Sequence, residues 1–381
     1  MESADENLEA RLWYEEKLAR LPAARHWYTS VTGMIILLNV AVFLVLSGKF
    51  RAGWITTASM DPYIRFAASN ASATTNGEWW RLLVSMFVHF GVIHLGMNMW
   101  ALYNLGELME QLSGKFLYAL TYLACGLGGG FASMIWHGDK VWSAGASGAI
   151  FGILGATLGY IVRQKKALPP SVYQPILRST LVFAAYNLFY GFAGKSIDNS
   201  NHVGGFLTGI AMGWLTALPL ELDERRRLWA SRLTAALVGL AVVICVGYAF
   251  APRFNYNLAE DYIFEQRYAD IDSSQSKLIG RYAVALQAAR ENGDIDHGFE
   301  KFLQSEYIPY YQSQLKELGS IKLNPKLRAN QRRQALMRVA RARIDAGQRL
   351  ISSLQRHDPQ EFRSYQDAEK EVDRAVQAVP E

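Results

Sequence analysis

Cysteine is almost absent from this sequence. The 381 residues include two cysteines, Cys125 and Cys245, and both lie within long apolar runs. A thiol in such surroundings usually acts as a small apolar side chain. Two isolated cysteines do not make a disulfide framework or a zinc site, so the chain is neither a disulfide-stapled secreted domain nor a zinc-binding module.

Charge is scarce over a large part of the chain. Charged residues make up 19% of the sequence and are sparse from about residue 31 to residue 251. Roughly 17 to 25 mostly apolar residues suffice for a helix to cross a bilayer core of ~30 Å. Seven runs have about this length, near residues 31–48, 84–104, 116–137, 147–163, 175–193, 201–219 and 232–252. They predict an all-α, polytopic membrane helix bundle.

The basic residues indicate how the runs cross the membrane. They cluster in the fourth and sixth connections, whereas the third and fifth hold only Lys140 and Lys195. The first connection, with Arg51 and Arg65, weakly favours the opposite orientation of the chain to the one that the fourth and sixth connections indicate. Because Lys and Arg are enriched in cytoplasmic loops, we expect a cytoplasmic N-terminus and an extracytoplasmic C-terminal segment, in a bacterial inner (plasma) membrane. About thirty polar and amphipathic residues precede the first run and no small-residue cleavage site stands out, so we expect a retained span rather than a signal peptide.

Two polar side chains in the second run fall on one helical face. His94 and Asn98 are four residues apart, so on a helix they lie at successive turns and can point at a common atom. His89 is five residues before His94, about 140° around a continuous helix. This spacing does not suit a helical zinc pair, and no carboxylate or thiolate lies nearby, so we expect no metal. The alternative role of these groups is to hydrogen-bond helices to one another.

Ser147 lies in the sequence WSAGASGAIFG, where the fourth run begins. A serine in a glycine-lined turn that enters a helix exposes its hydroxyl and its N–H to the same cavity, which suits a nucleophile and an oxyanion site. Small residues are also common wherever membrane helices pack closely. The motif alone leaves both interpretations open.

His202 lies at the start of the sixth run, and its presence favours the interpretation of Ser147 as a nucleophile. A serine hydroxyl needs a general base before it attacks a carbonyl. In the predicted topology the fourth and sixth runs begin on the same side of the membrane, which brings Ser147 and His202 to a similar depth. Gly205 and Gly209 form a GxxxG pattern that permits a close approach to another helix, and the Ser147 helix is a candidate.

These residues resemble the rhomboid intramembrane serine proteases. The resemblance covers roughly residues 30–220, six runs in the expected order. Gly145 to Gly148 match the family's GxSG motif, and His202 with Gly204, Gly205 and Gly209 matches its histidine motif. His94 and Asn98 match its HxxxN motif, and Trp80 and Arg81 match the WR pair of its first loop.

The resemblance implies a serine–histidine dyad without a cofactor. Ser147 is then the nucleophile and His202 the base, while His94, Asn98 and the Ser147 amide form the oxyanion hole. Phe151 corresponds to an aromatic residue that packs against the base. Arg81 and Glu110 correspond to structural residues. Asp198 precedes His202 by one turn, and we expect it to serve the loop or cap the helix rather than to join the chemistry; Asn201 can hydrogen-bond within the site.

The chain divides into four predicted parts. Residues 1–30 contain an amphipathic helix at the cytoplasmic face or in solvent, 31–220 form the six-helix domain, 221–252 contain a linker and a seventh span, and 253–381 form an extracytoplasmic helical domain. Helices are expected near 257–292, 296–318 and 327–356, followed by a charged segment. The basic run from Arg328 to Arg343 is predicted to be a solvated helix face, and the domain to be a docking or regulatory module.

Three functions are compatible with this organisation. The first is an intramembrane serine endopeptidase that cuts single-span membrane proteins. The second is a catalytically silent protein of the same fold that binds transmembrane helices. The third is a transporter, which is disfavoured because the polar groups cluster at one depth and no paired interrupted helices are evident.

Overall fold

The computed structural model describes residues 4–22, 26–49, 63, 67–193, 197–292, 298–356 and 358–380. Arg51, Arg65 and Lys195, on which the charge argument partly rests, lie outside these ranges. The chain separates into two compact units, Met1–Phe254 and Asn255–Glu381. Within the described residues the only β-structure is an isolated bridge between Ser69 and Ser143. The predicted all-α class is confirmed.

The first unit has a helix at each of the seven apolar runs. Its helices are α1 Ala4–Ala19, α2 Val31–Lys49, α3 Ala71–Thr75, α4 Trp80–Val84, α5 Val92–Ser113, α6 Lys115–His137, α7 Ser147–Gln164, α8 Pro170–Ala193, α9 Asn199–Thr216 and α10 Leu222–Phe250. Taken singly, α2, α6 and α10 are long and apolar enough to cross a membrane. The central helix α7 is buried along most of its length, so its composition is set by neighbouring helices rather than by lipid.

The second predicted span is not one straight helix. Residues Trp80–Phe87 form α4 and a 3₁₀ turn that follows it. This segment meets α5 at an angle of 90°, and the segment and α5 together are apolar enough to count as one bent span. Gly91 has a φ of +100°, which only glycine adopts readily. The expected helical angle between His89 and His94 was therefore wrong, because His89 precedes the bend and lies outside α5.

Glycines bring α7 and α9 into direct backbone contact. A Cβ atom on Gly205 would lie 2.0 Å from the Gly148 carbonyl oxygen, and one on Gly209 would lie 1.9 Å from the Gly152 carbonyl oxygen. Any larger residue would push the two helices apart. The GxxxG pattern of α9 thus faces the helix that begins at Ser147.

The N-terminal helix α1 packs on the end of the bundle that lies opposite Ser147. Leu21, just after α1, is 3% exposed and belongs to the same apolar core as α5 and α7. The Gln111 side chain donates a hydrogen bond to the Leu18 carbonyl, and Lys17 forms an ion pair with Glu221. The helix α1 therefore packs against the bundle, an environment that the sequence did not predict.

The second unit is a helical domain with its own core. Its helices are α11 Leu258–Asn292, α12 Ile308–Ser320, α13 Arg328–Arg356 and α14 Pro359–Gln377, with a π-helical turn, Leu303–Tyr307, leading into α12. The basic run of α13 is only partly a solvated face. Arg332 pairs with Glu265, Arg333 donates to the Ile321 carbonyl and Arg343 donates to the Tyr307 hydroxyl. These arginines connect elements inside the unit.

Candidate active site

The turn before α7 holds Ser147 at the first position of the helix. Gly145 has a φ of +129°, a backbone conformation that disfavours any residue with a Cβ. Its N–H donates to the Ser85 carbonyl at 2.9 Å, which ties the turn to the end of α4. The chain then enters α7 at Ser147, where the first N–H groups of the helix have no partners within the helix.

His202 lies in the first turns of α9, next to Ser147. Its Nε2 atom is 2.9 Å from the Ser147 hydroxyl oxygen, and the residue is 9% exposed. An imidazole nitrogen at this distance can accept the hydroxyl proton. The other ring nitrogen, Nδ1, is buried and has no hydrogen-bond partner among the described residues. The Phe151 ring stacks on the imidazole at 4.2 Å between centroids.

His94 faces the same turn from α5. Its Nδ1 accepts a hydrogen bond from the Phe90 N–H at 3.3 Å, so in the neutral ring Nε2 carries the proton. A Cβ atom on Gly145 would lie 3.0 Å from this Nε2. His94 therefore directs an N–H donor at the turn that holds Ser147, and Gly145 leaves room for it.

Asn98 is one turn further along α5 and is 7% exposed. Its Nδ2 donates to the His94 carbonyl of its own helix at 2.8 Å. A primary amide has a second N–H, and no hydrogen bond among the described residues uses it.

His89 contacts the nucleophile turn from the other side of the bend. Its fully buried ring accepts the Ala146 N–H at Nε2, 3.4 Å away, and lies edge-on to His94 with centroids 5.0 Å apart. The bend at Gly91 brings the two rings together, which the spacing on a continuous helix did not predict. No group of three potential His, Cys, Asp or Glu metal ligands occurs in the part of the chain that the structure describes.

Asp198 caps α9 and joins three elements. Its carboxylate accepts the Asn201 N–H at 3.1 Å, the Ser143 hydroxyl at 2.8 Å and the Ser133 hydroxyl at 2.5 Å, and it lies 3.3 Å from His137 Nε2. Ser133 and His137 belong to α6, and Ser143 precedes the Ser147 turn. Asp198 therefore fixes the start of the His202 helix relative to that turn.

Asn201 supports the same junction. Its Nδ2 donates to the Ser143 hydroxyl at 3.2 Å, and a Cβ on Gly148 would come within 1.9 Å of its side-chain oxygen. Ser133, His137 and Ser143 were not among the predicted site residues. Each is 55 or more residues from Asp198, so no local pattern could pair them.

Two further predicted residues lie outside the immediate site. Arg81 is 1% exposed and donates to the Ala68 carbonyl and to Glu78, while its guanidinium also lies near the rings of Trp80 and Trp142. Glu110, on α5, accepts the N–H groups of Val31 and Thr32, each at 2.9 Å. Arg81 thus ties Ala68 and Glu78 to the start of α4, and Glu110 binds the N-terminus of α2.

Comparison with known proteins gives matches to rhomboids. Residues 76–219 match the Rhomboid domain family. Rhomboid protease GluP of Bacillus subtilis is 35% identical over 206 residues, which are 54% of this chain and 38% of that protein. RHOMBOID-like protein 6, mitochondrial, of Arabidopsis thaliana is 30% identical over 50% of this chain and 69% of its own length. Rhomboid protease AarA of Providencia stuartii is 24% identical over 65% of this chain and 92% of its own length.

Proposed function

Because the chain belongs to the rhomboid family and is an integral membrane protein, we propose that it is an intramembrane serine endopeptidase with Ser147 as nucleophile and His202 as general base. The observation that carries this proposal is the 2.9 Å separation of the Ser147 hydroxyl oxygen and His202 Nε2. The names of two relatives, which are called proteases, also support it.

The proposed reaction is acyl transfer to water in two stages. The Ser147 oxygen attacks the substrate carbonyl carbon while its proton passes to His202 Nε2. The tetrahedral intermediate collapses, the C–N bond breaks, and His202 returns the proton to the leaving amine. Water then attacks the acyl-enzyme with His202 again as base, which releases the acid and restores the serine.

His94, Asn98 and the Ser147 amide are the proposed oxyanion donors. His94 supports this role because its Nδ1 is occupied by the Phe90 N–H, which leaves a proton on the Nε2 beside Gly145. Asn98 contributes through the N–H that the His94 carbonyl does not use. Removal of one oxyanion donor typically costs about 3–4 kcal/mol in the transition state.

The proposed dyad has no carboxylate as a third member. The carboxylate of Asp198 is already bound by Ser133, Ser143, Ser200 and the Asn201 amide. The ring of His202 is instead held by the flat contact with Phe151. Packing in this proposal does the orienting that an acid does in a triad.

The proposed substrates are single-span membrane proteins, cut near the outer boundary of the bilayer. In this scheme residues 31–220 form the catalytic domain, the N-terminus is cytoplasmic, and residues 253–381 form an extracytoplasmic docking or regulatory module. The membrane is the bacterial inner membrane. Access of added protease to the C-terminal unit in spheroplasts tests the orientation, and protection of that unit until the spheroplasts are lysed would contradict it.

The test of the dyad uses full-length protein, purified and reconstituted in liposomes with a fluorescent single-span reporter. Ser147→Ala and His202→Ala should each lower kcat by about 10³-fold or more, as removal of either member of such a pair does. Ser231→Ala is the matched control, since among the described residues the Ser231 hydroxyl bonds only the Leu228 carbonyl on α10. Cleavage by either site variant at the wild-type rate rejects the dyad, and absence of cleavage by the wild type favours a silent helix-binding protein.

A further inference from the structure

A cavity lies at the end of the bundle opposite Ser147, between α1 and the first half of α8. Its volume is about 1010 Å³. Leu8 and Arg11 line it from α1, and Gln174, Arg178 and Val182 line it from α8. Because α7 runs from Ser147 to Gln164 and α8 begins at Pro170, this end of α8 is a full helix length away from the proposed dyad.

The charged side chains that line the cavity are all positive. Arg11 and Arg178 are its charged lining residues, and no acidic side chain lines it. Both arginines are exposed, and neither forms an ion pair or hydrogen bond with any residue that the structure describes. The guanidinium fork matches the oxygens of a phosphate group, so the cavity suits a phosphate ester.

An apolar face continues from the cavity along α8. Val182 is 61% exposed, Tyr186 is 66% exposed and Phe189 is 76% exposed. With Arg178 they follow helical spacing of three to four residues, so all four lie on one face of α8. A ligand whose charged group sits at Arg178 would therefore lay an apolar chain against Val182, Tyr186 and Phe189.

We propose that this cavity binds an anionic phospholipid, with its phosphate between Arg11 and Arg178 and an acyl chain along the exposed face of α8. The two positive charges favour phosphate. The apolar face favours a lipid over a free phosphate ester, and the lack of an acidic lining residue favours an anionic headgroup over a choline headgroup. Basic pockets at the ends of membrane helices are suited to such headgroups. This site is independent of the proposed protease activity.

One consequence is that the lipid connects α1 to α8. Arg11 and Arg178 belong to different helices, so one phosphate bound by both replaces their mutual repulsion with two attractive contacts. The bound lipid then holds α1 against the bundle together with the ion pair between Lys17 and Glu221.

The test measures lipid binding to the full-length protein by native mass spectrometry. Phosphatidylglycerol, phosphatidylcholine with the same acyl chains, and glycerol 3-phosphate are titrated separately. Phosphatidylglycerol should bind most tightly. Arg11→Gln with Arg178→Gln should weaken its binding by about 30-fold, the factor that corresponds to about 1 kcal/mol for each basic side chain.

The matched control is Arg20→Gln with Lys166→Gln, which removes two exposed positive charges from the same end of the bundle without changing the cavity lining. It should change the affinity by less than about twofold. Unchanged binding by the cavity variant, or equal binding of phosphatidylcholine, overturns the proposal. So does equally tight binding of glycerol 3-phosphate, which would indicate a site for a soluble anion.

A second measurement locates the lipid. Phosphatidylglycerol with a photoreactive diazirine in its acyl chain is irradiated with the wild-type protein, and the labelled peptides are sequenced by mass spectrometry. The label should fall on the peptide of α8 that contains Val182, Tyr186 and Phe189. Labelling confined to other helices contradicts the proposed position.

Discussion

The Phe151 ring lies flat against the imidazole of His202. The ring planes are within 8° of parallel, and Phe151 is one turn after Ser147 on the same helix. One helix therefore supplies both the hydroxyl that His202 contacts and the surface against which its ring rests. His202 Nδ1 has no hydrogen-bond partner among the described residues, so the ring is restrained by this contact and by the hydrogen bond between Nε2 and Ser147.

Phe151→Leu should lower kcat while leaving KM nearly unchanged. Leucine retains most of the apolar volume but not the flat face, and aromatic contacts contribute about 0.5–1.5 kcal/mol beyond burial, so a decrease of about 10-fold is expected. Phe151→Tyr keeps the face and is the control. Steady-state kinetics with the transmembrane reporter make the comparison. A leucine variant with the kcat of the wild type would show that stacking does not orient His202.

Asp198→Ala should reduce both stability and activity. The substitution leaves the Ser133 and Ser143 hydroxyls and the Asn201 N–H without their acceptor. Each unsatisfied buried donor costs about 1–3 kcal/mol, so unfolding in sodium dodecyl sulfate should occur at a clearly lower detergent fraction.

A separate measurement tests whether Asp198 positions the catalytic groups. The control is Asp223→Ala, which removes an exposed carboxylate from the first turn of α10 and should change neither stability nor activity. Under conditions where the Asp198 variant is still folded, its kcat should be about 10-fold or more below that of the wild type, since small misplacements of catalytic groups have large effects. A folded Asp198 variant with full kcat would limit the residue to a structural role.

Gly209→Ala should separate α7 from α9. The added Cβ would lie 1.9 Å from the Gly152 carbonyl oxygen, which is backbone and cannot rotate away. Overpacking of this kind typically costs about 1–3 kcal/mol. Gly96→Ala is the control, because its Cβ would have no atom within 4 Å. The same detergent unfolding assay applies, and equal stability of the two variants would contradict the close packing of these helices.

The C-terminal unit should lose stability as the pH rises from about 4 to about 6. Burial, together with Glu260 and Glu265, raises the pKa of Asp261 from 3.8 to about 6, although the Asn324 N–H and Arg333 oppose the shift. The folded unit then binds a proton more tightly than the unfolded chain in this range, so stability is gained on acidification.

Hydrogen–deuterium exchange of the α11 peptides, corrected for the intrinsic rate at each pH, measures this effect in the full-length protein. Asp261→Asn keeps an acceptor for the Asn324 N–H and should make the protection independent of pH over this range. The exposed Asp272 on the same helix supplies the control, Asp272→Asn. If the protection still depended on pH in the Asp261 variant, groups other than Asp261 would be responsible for that dependence.

The sequence was informative where the physical signal is local. Long apolar runs predicted a helix at all seven positions, because a membrane helix must be apolar over nearly its whole length. The one-turn spacing of His94 and Asn98 and the glycines around Ser147 could likewise be recognised within a few residues. Family resemblance then related Ser147 to His202, which are 55 residues apart.

Interactions between distant segments were not predictable from local patterns. The 90° bend before α5 depends on the positive φ of Gly91 in a run that is apolar on both sides. Asp198 has partners on α6 and in the turn before α7, and nothing in its neighbourhood identifies them. The basic run of α13 predicted a solvated face, but Arg332 and Arg343 have partners on other helices of the unit.

The contact between Glu110 and the start of α2 has a consequence for biosynthesis. The N–H groups of Val31 and Thr32 leave the ribosome 79 and 78 residues before the carboxylate that binds them. A helix N-terminus needs acceptors for its N–H groups, so we expect water or lipid headgroups to supply them at this end of α2 until α5 has been made. The start of α2 therefore gains this acceptor only after the segment that carries Glu110 has been synthesised.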